Sequence, residues 1–399
     1  SFSDSNSVSN LMIRPIINIS NINNWNVRVN SDFYFNNNAP NLENMGNRFF
    51  GKGIGLFTGI NFSYIGKYFS FSLEPFYLNS QNIEVKTLGR EGTFSRLNDS
   101  QIFKESPYVS MGFRESQLYL HYKQFGLGYS NANMWWGPGI HNTLTMTNNT
   151  TGFPHLIIGT INEKRVRNIG FNFRYVFSTL DKTIGNPYFT GLVWSLRFYT
   201  NPLISIGLSR NYLTGGRKLL SGYEWKEADA RRIVFEGLFT SDLLEAEYTV
   251  GGHDAWDQTL SGYLNITLPD RDMKLYAEFG LNDNRMYLAD FLSQPDHSMA
   301  TVIGVRDYGI GDNKNWLWGF EWTNLMITYS SRHRPGGPGT WYQRNTYQFS
   351  SYYGRRWGAH SGSDSDDWYL YFGYLSDKLM ILPAINYERH GIVTYRPAE

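Results

Sequence analysis

Cysteine is absent from all 399 residues, which excludes disulfides, thiolate metal sites and a cysteine nucleophile. Long apolar runs are also missing. The longest stretches, such as Met380-Ile381-Leu382-Pro383-Ala384-Ile385, fall far short of the roughly 20 residues a helix needs to cross a bilayer. No one sign of charge dominates: 36 Lys and Arg against 35 Asp and Glu leave a net +1, and no basic tract makes an electrostatic case for nucleic acid. Helical signals are few. Segments 41–50, 227–232 and 286–292 have room for a turn or two each and read as loop inserts or a small plug. The first residues, Ser-Phe-Ser-Asp-Ser-Asn, lack an initiator Met and any charged-then-apolar targeting pattern, so the expectation is a mature chain with its signal peptide already removed.

Aromatic residues are abundant. Phe, Tyr and Trp make up 17% of the chain, with 28 Tyr, 27 Phe and 12 Trp beside 39 Gly, yet the mean hydropathy is −0.41. Strands with one face in lipid and the other in water reconcile the two.

The dominant period is two. Phe171, Phe173, Tyr175 and Phe177 alternate with Asn172, Arg174, Val176 and Ser178, and Met273, Leu275, Ala277, Phe279 and Leu281 alternate with Lys274, Tyr276, Glu278 and Gly280. Successive side chains of a strand point to opposite faces. A soluble sandwich alternates too, but these segments run to about ten residues, the length of a tilted membrane strand, and their apolar faces end in Tyr, Phe and Trp, as an interfacial girdle requires. The expectation is a single all-β domain over 1–399, a transmembrane antiparallel outer-membrane β-barrel of about 18 strands in a Gram-negative envelope.

The strands fall near 11–20, 24–36, 54–65, 68–79, 111–122, 124–131, 154–162, 168–179, 187–200, 202–211, 231–240, 243–251, 257–268, 272–282, 298–308, 315–330, 366–375 and 378–389. Long loops occupy 37–53, 80–110, 132–153, 212–230, 283–297 and 331–365. Barrels of this kind keep tight turns in the periplasm and long loops outside. With that parity both termini would sit outside, unless a terminal strand (391–395 is a candidate) is added or some long segments are periplasmic. Inward faces would carry Arg28, Arg174, Arg197, Lys274, Arg306, Glu245, Glu247, Glu278 and Glu321, and with long loops available a filled lumen is expected over an open channel.

One motif stands out. Asn133, Met134, Trp135, Trp136, Gly137, Pro138 and Gly139 put two adjacent tryptophans before a Gly-Pro-Gly break. Two Trp beside a rigid turn form a flat apolar plate with N–H donors. It can stack on a sugar ring, sit at headgroup level, or pack a loop into the lumen. This stretch, the barrel signature and the closing Ile385–Ile392 segment resemble the Wzi family of capsule-assembly proteins. The resemblance implies an outer-membrane lectin that helps attach capsular polysaccharide to the cell surface. Members of that family carry a helical element on the periplasmic side, for which only 37–53 or 80–110 is available here, and neither is strongly helical. The same barrel could therefore serve a different envelope complex.

Catalytic signatures are missing. No His is followed by a Ser two residues on, as phospholipase-type barrels require, and no Asp-x-His accompanies Asp364-Ser365-Asp366. A strand catalytic pair needs that spacing to share a face. No cofactor is implied. Asp364, Asp366 and Asp367 gather oxygen ligands in one loop and make a Ca²⁺ candidate, with a solvated acidic loop as the plainer reading. His253, Asp254 and Asp257 are a poorer one. Arg332, Arg334, Arg344, Arg355 and Arg356, interleaved with aromatics including Trp357, suit an acidic polysaccharide or lipopolysaccharide, because guanidinium forks bind carboxylates and phosphates bidentately. Outer-leaflet phosphate contact or a lumen-folded loop would use the same residues. Expected partners are outer-membrane lipid, lipopolysaccharide, capsular polysaccharide and other outer-membrane or periplasmic proteins.

Overall fold

The computed structural model describes residues 24–86, 100–183, 186–215, 227–239, 249–250, 253–254, 256–282, 292–293, 295–310, 315–332, 341–342, 350–376 and 379–391. Seventeen strands form one antiparallel sheet. In chain order they are β1 (Asn24–Asn36), β2 (Gly53–Ile65), β3 (Phe69–Ser80), β4 (Tyr108–Tyr122), β5 (Phe125–Ser130), β6 (His155–Thr160), β7 (Lys164–Val166), β8 (Ile169–Thr179), β9 (Tyr188–Phe198) and β10 (Leu203–Thr214). Outside the wall lie the two-residue strands β11 (Thr249–Val250) and β12 (His253–Asp254); the wall resumes with β13 (Trp256–Leu268), β14 (Met273–Asn282), β15 (Met299–Ile310) and β16 (Trp316–Asn324). After the small hairpin β17 (Ser351–Tyr352) and β18 (Arg355–Arg356), the wall closes its described course with β19 (Ser365–Leu375), β20 (Met380–Ile381) and β21 (Ala384–His390). β6 and β7 both lie along β8, and β20 and β21 both lie along β19, so each pair is one interrupted wall strand.

β16 shows why the sequence folds this way. Leu317, Gly319, Glu321 and Thr323 point inward, while Trp316, Trp318, Phe320 and Trp322 point outward. Aromatics gather beside the tight turns: Trp25 packs on Tyr64, Tyr68 stacks on Tyr122, and Trp316 meets Tyr374. That is the girdle a membrane interface selects. Glycine has a second use inside. Tyr34, Tyr119, Tyr263, Tyr276 and Tyr371 face Gly55, Gly128, Gly207, Gly304 and Gly319 directly across the ladder. In each pair a Cβ on the glycine would stand 1.8–2.3 Å from a ring atom, so the inward tyrosine rings lie flat over bare backbone.

The sequence-derived strand at 231–240 is a correction. Glu227–Phe239 is a helix, here α1, and β10 pairs along its length with β13, so no strand from 231–251 stands between them. Helical spacing explains α1: Ala230, Ile233 and Val234 lie at i, i+3 and i+4 and are fully buried. They pack on Phe177, Leu192 and Tyr212, whose strand neighbours Val176, Gly191 and Asn211 face inward. α1 therefore lies against the outside of the wall at its long-loop end. Most of segment 243–251, and 11–20, 286–291, Glu245 and Glu247 lie outside the described residues.

Tight turns and long connections alternate. Asn24, opposite Ile65, starts β1 at the tight-turn end, and His390, opposite Ser365, ends β21 at the long-loop end. Arg174, Arg197, Lys274, Glu278 and Glu321 are buried on the lumen side. The described parts of two long connections, 131–154 and 325–364, fold into the bore and cover Glu278 and Glu321, while Arg174 and Arg197 are held by Thr160 and Glu163.

Candidate functional site

The Trp-Trp-Gly-Pro-Gly motif lies in the first of these connections, and its geometry is set by two wall glutamates. Glu321 projects inward from β16 and accepts the backbone N–H groups of Ile140 (2.6 Å) and Asn142 (2.6 Å), a longer one from His141, and the Tyr276 hydroxyl (2.7 Å). Glu278 on β14 accepts the Thr143 hydroxyl at 3.1 Å and the Leu144 N–H at 3.2 Å. Successive N–H groups converging on one carboxylate form an anion nest. The glycines are required by proximity. A Cβ on Gly137, which sits at φ +148, would lie 2.8 Å from Glu278 Oε2, and one on Gly139 would lie 1.8 Å from the Asn142 carbonyl oxygen and 3.1 Å from Glu321 Oε2.

The second connection locks over the first. Thr147 donates to the Gly358 carbonyl (2.7 Å), Asn149 to that of Arg356 (3.1 Å), and the Tyr342 hydroxyl to that of Leu144 (2.5 Å) while accepting the Ala359 N–H (2.9 Å). Trp136, Met146, Phe153, Phe189 and Trp357 make a shared apolar core. These contacts turn two loops into a plug.

Several residues read as ligand-facing are thereby interior. Trp136 and Trp357 are 1% and 0% exposed, so the plate packs the plug against Gly191 and Phe189 of the wall. Arg355 donates to the carbonyls of Leu42, Gly46 and Arg48 and clamps the 37–52 connection. Arg356 is buried over the Tyr342 ring. In this arrangement none of these four side chains presents a face to solvent, because each fills space that the inward-folded loops would otherwise leave empty. Trp135 is half-buried, with Asn133 and Met134 beside it. Arg332 is exposed at the end of the helical turn Tyr329–Arg332, next to Tyr329, 76% exposed. Arg334 and Arg344 lie outside the described residues.

The three aspartates of the Ca²⁺ candidate diverge. Asp364 accepts the Ile327 N–H, Asp366 faces outward and pairs with Arg389, and Asp367 faces inward. Of the poorer trio, Asp257 is buried, and His253 and Asp254 form β12. What sequence reading missed is a cluster made across five segments. His141, beside the Glu321 nest, stacks on Tyr369 with centroids 4.0 Å apart. His360 Nε2 lies 2.5 Å from Glu388 Oε1, 3.3 Å from Asp367 Oδ2 and 4.0 Å from Glu43 Oε2. His141 Nε2 lies 3.6 Å from the same Asp367 oxygen. Burial, aided by the charge of His360 and opposed by Glu388, pushes His141 down to about 2. Burial also opposes charge on His360, yet Glu388 and Asp367 hold it well above the usual imidazole value. The sequence offered its parts separately, Asp367 in the acidic loop, Glu388 in the closing Ile385–Ile392 segment and the histidine of Gly-Ile-His-Asn at the end of the motif, with nothing to join them.

No protein-family model matches the sequence, and no curated protein matches it. Among solved structures the chain is similar to Wzi, described as an outer membrane protein involved in group 1 capsule assembly in Escherichia coli and a carbohydrate-binding β-barrel. The TM-score is 0.60 at 13% identity, over 92% of this chain and 71% of that one. It also aligns with OccAB1 of Acinetobacter baumannii (TM-score 0.37, 7% identity, 92% and 89% of the two chains) and OmpF of Salmonella typhi (0.40, 9%, 92% and 98%). The likeness to Wzi is one of fold, an outer-membrane β-barrel, and it agrees with the resemblance carried by the tryptophan motif.

Proposed function

We propose that this protein is a non-catalytic outer-membrane barrel of the Wzi type that binds surface (capsular) polysaccharide at its long-loop end and serves in the attachment or assembly of that polymer. The observation that carries the reading is the plug. The described parts of two loops fold into the bore and are tied to buried wall carboxylates, so the working surface is the rim and not a channel. The fold it shares with a carbohydrate-binding barrel supports the same reading. At the rim, exposed Arg332 beside exposed Tyr329 offers a guanidinium for a sugar acid and a ring face for a pyranose. Arg334 and Arg344 belong to the same connection and are proposed as further contacts, with half-buried Trp135 at the edge.

The test is binding of purified acidic surface polysaccharide to the detergent-solubilised barrel by calorimetry. Wild type is expected to bind. The triple variant Arg332→Ala, Arg334→Ala, Arg344→Ala is expected to lose at least roughly tenfold, since hydrogen bonds to charged groups contribute about 1.5–3 kcal/mol each. A folded wild-type barrel that binds no polysaccharide and co-purifies in fixed ratio with other envelope proteins would replace this reading with that of a subunit in an assembly or secretion complex.

A further inference from the structure

We propose that the long-loop end holds a binding site for a divalent transition-metal ion of the zinc class, made by His141 and His360 of the plug and Asp367 and Glu388 of the wall. The register supplies the first argument. Asp367 on β19 and Glu388 on β21 are direct cross-strand partners on the lumen side, where two like charges oppose each other at a cost. The neighbouring outward pair on the same two strands is Asp366 with Arg389, whereas the inward carboxylates meet imidazoles, His360 on both and His390 at 3.0 Å from Glu388, groups that can bind a metal ion as well as a proton.

Donor geometry supplies the second. Two ligand atoms about 2.1 Å from a tetrahedral ion stand about 3.4 Å apart. Asp367 Oδ2 lies 3.3 Å from His360 Nε2 and 3.6 Å from His141 Nε2, whereas His360 Nε2 and Glu388 Oε1 lie 2.5 Å apart and must separate as an ion enters between them. One ligand atom each from His360, Asp367 and Glu388 falls within 4.8 Å of the others, as do those of Glu43, His141 and His360. The side chains of His360 and Asp367 are 0% and 1% exposed. Among the described residues, His360 Nε2, His141 Nε2 and Asp367 Oδ1 have no hydrogen-bond partner; the His360 contacts are close charges without hydrogen-bond direction.

The surroundings hold the ligands in place. Asn142 donates to Asp367 Oδ2 at 2.6 Å, and Tyr369 fixes the His141 ring, as outer groups do in metal sites. Two imidazoles with two carboxylates select zinc-like ions over Ca²⁺ or Mg²⁺, which prefer oxygen alone. Glu388 and Glu43, 18% and 28% exposed, leave an approach from the rim. On binding, the ion takes the place of the His360 Nε2 proton, which is released to solvent. It would then staple the motif loop and the 325–364 connection to β19 and β21.

The test uses the full-length barrel in detergent, stripped with EDTA and dialysed against Zn²⁺ or Co²⁺, with folding followed by heat-shifted gel migration. Elemental analysis is expected to find one equivalent of either ion, and Co²⁺ to show tetrahedral visible absorption. His360→Gln and His141→Gln are each expected to weaken binding at least roughly tenfold. Asp270→Asn, at the tight-turn end, is expected to leave it unchanged. If His360→Gln fails to fold, His141→Gln carries the same expectation, because it leaves the buried Asp367–Glu388 pair and His360 in place. Absence of stoichiometric metal in folded wild type, wild-type affinity in folded His141→Gln, or displacement of Zn²⁺ by equimolar Ca²⁺ would each overturn the proposal.

Discussion

At the scale of single residues, the motif was legible and its purpose was not. Trp-Trp-Gly-Pro-Gly announces a rigid break beside a large apolar surface. It does not announce that Gly137 and Gly139 run against Glu278 and Glu321, because those partners lie more than a hundred residues away and are visible only as inward positions of an alternating strand. For the same reason Trp136 and Trp357 were open to both readings, a sugar plate or core, and both are buried in the plug. Tyr342 gives a residue-scale prediction. Burial pushes its phenol above the ordinary value near 10, against the Ala359 hydrogen bond and the charge of Arg356. A raised value means that its stabilising contribution is complete below about pH 10 and is lost as pH rises towards the folded-state value, because the unfolded chain ionises first. The plug is therefore expected to loosen in strong alkali, seen as a change in tryptophan fluorescence from Trp341 and Trp357. Tyr342→Phe should blunt that alkaline step while costing about 1 kcal/mol at neutral pH through its lost hydrogen bonds. An alkaline transition identical in the two proteins would contradict this.

At the scale of elements, the wall strands were legible because a face in lipid and a face in a filled bore impose a strict period of two. Wherever the outer face meets something other than lipid, that rule weakens. Segment 231–240 looked like a strand because Ile233, Val234 and Phe235 form a short apolar run. Ala230, Ile233 and Val234 at helical spacing, opened by the helix formers Glu227 and Ala228, made α1 instead. It covers Leu192 and Tyr212 on the outer wall, which would otherwise be exposed above the aromatic band. Val234→Asp puts a charge into that fully buried contact, and burying an unpaired charge is strongly unfavourable. The helix should detach, with faster proteolysis at 227–239 and the β-sheet circular dichroism unchanged. Equal protease resistance in variant and wild type would show that α1 adds nothing to its wall.

At the scale of the whole molecule, the wall is built around its own loops. The cross-strand Tyr–Gly pairs, the buried carboxylates and the Trp136–Trp357 core all face the same bore and pack against plug residues or other wall side chains. Sequence reading reached the filled lumen from charge and loop length alone, but it could not see which loops fill it, since that depends on contacts between segments some two hundred residues apart. Function at the rim follows only if the bore is shut. The direct measurement is single-channel conductance of the purified barrel in a planar bilayer. Wild type is expected to show no conductance, and steady channels are expected once the nest is broken by Glu321→Ala together with Glu278→Ala, a change that strands buried N–H groups at about 1–3 kcal/mol each. Large, steady, ohmic channels from wild type would contradict this and make the protein a porin.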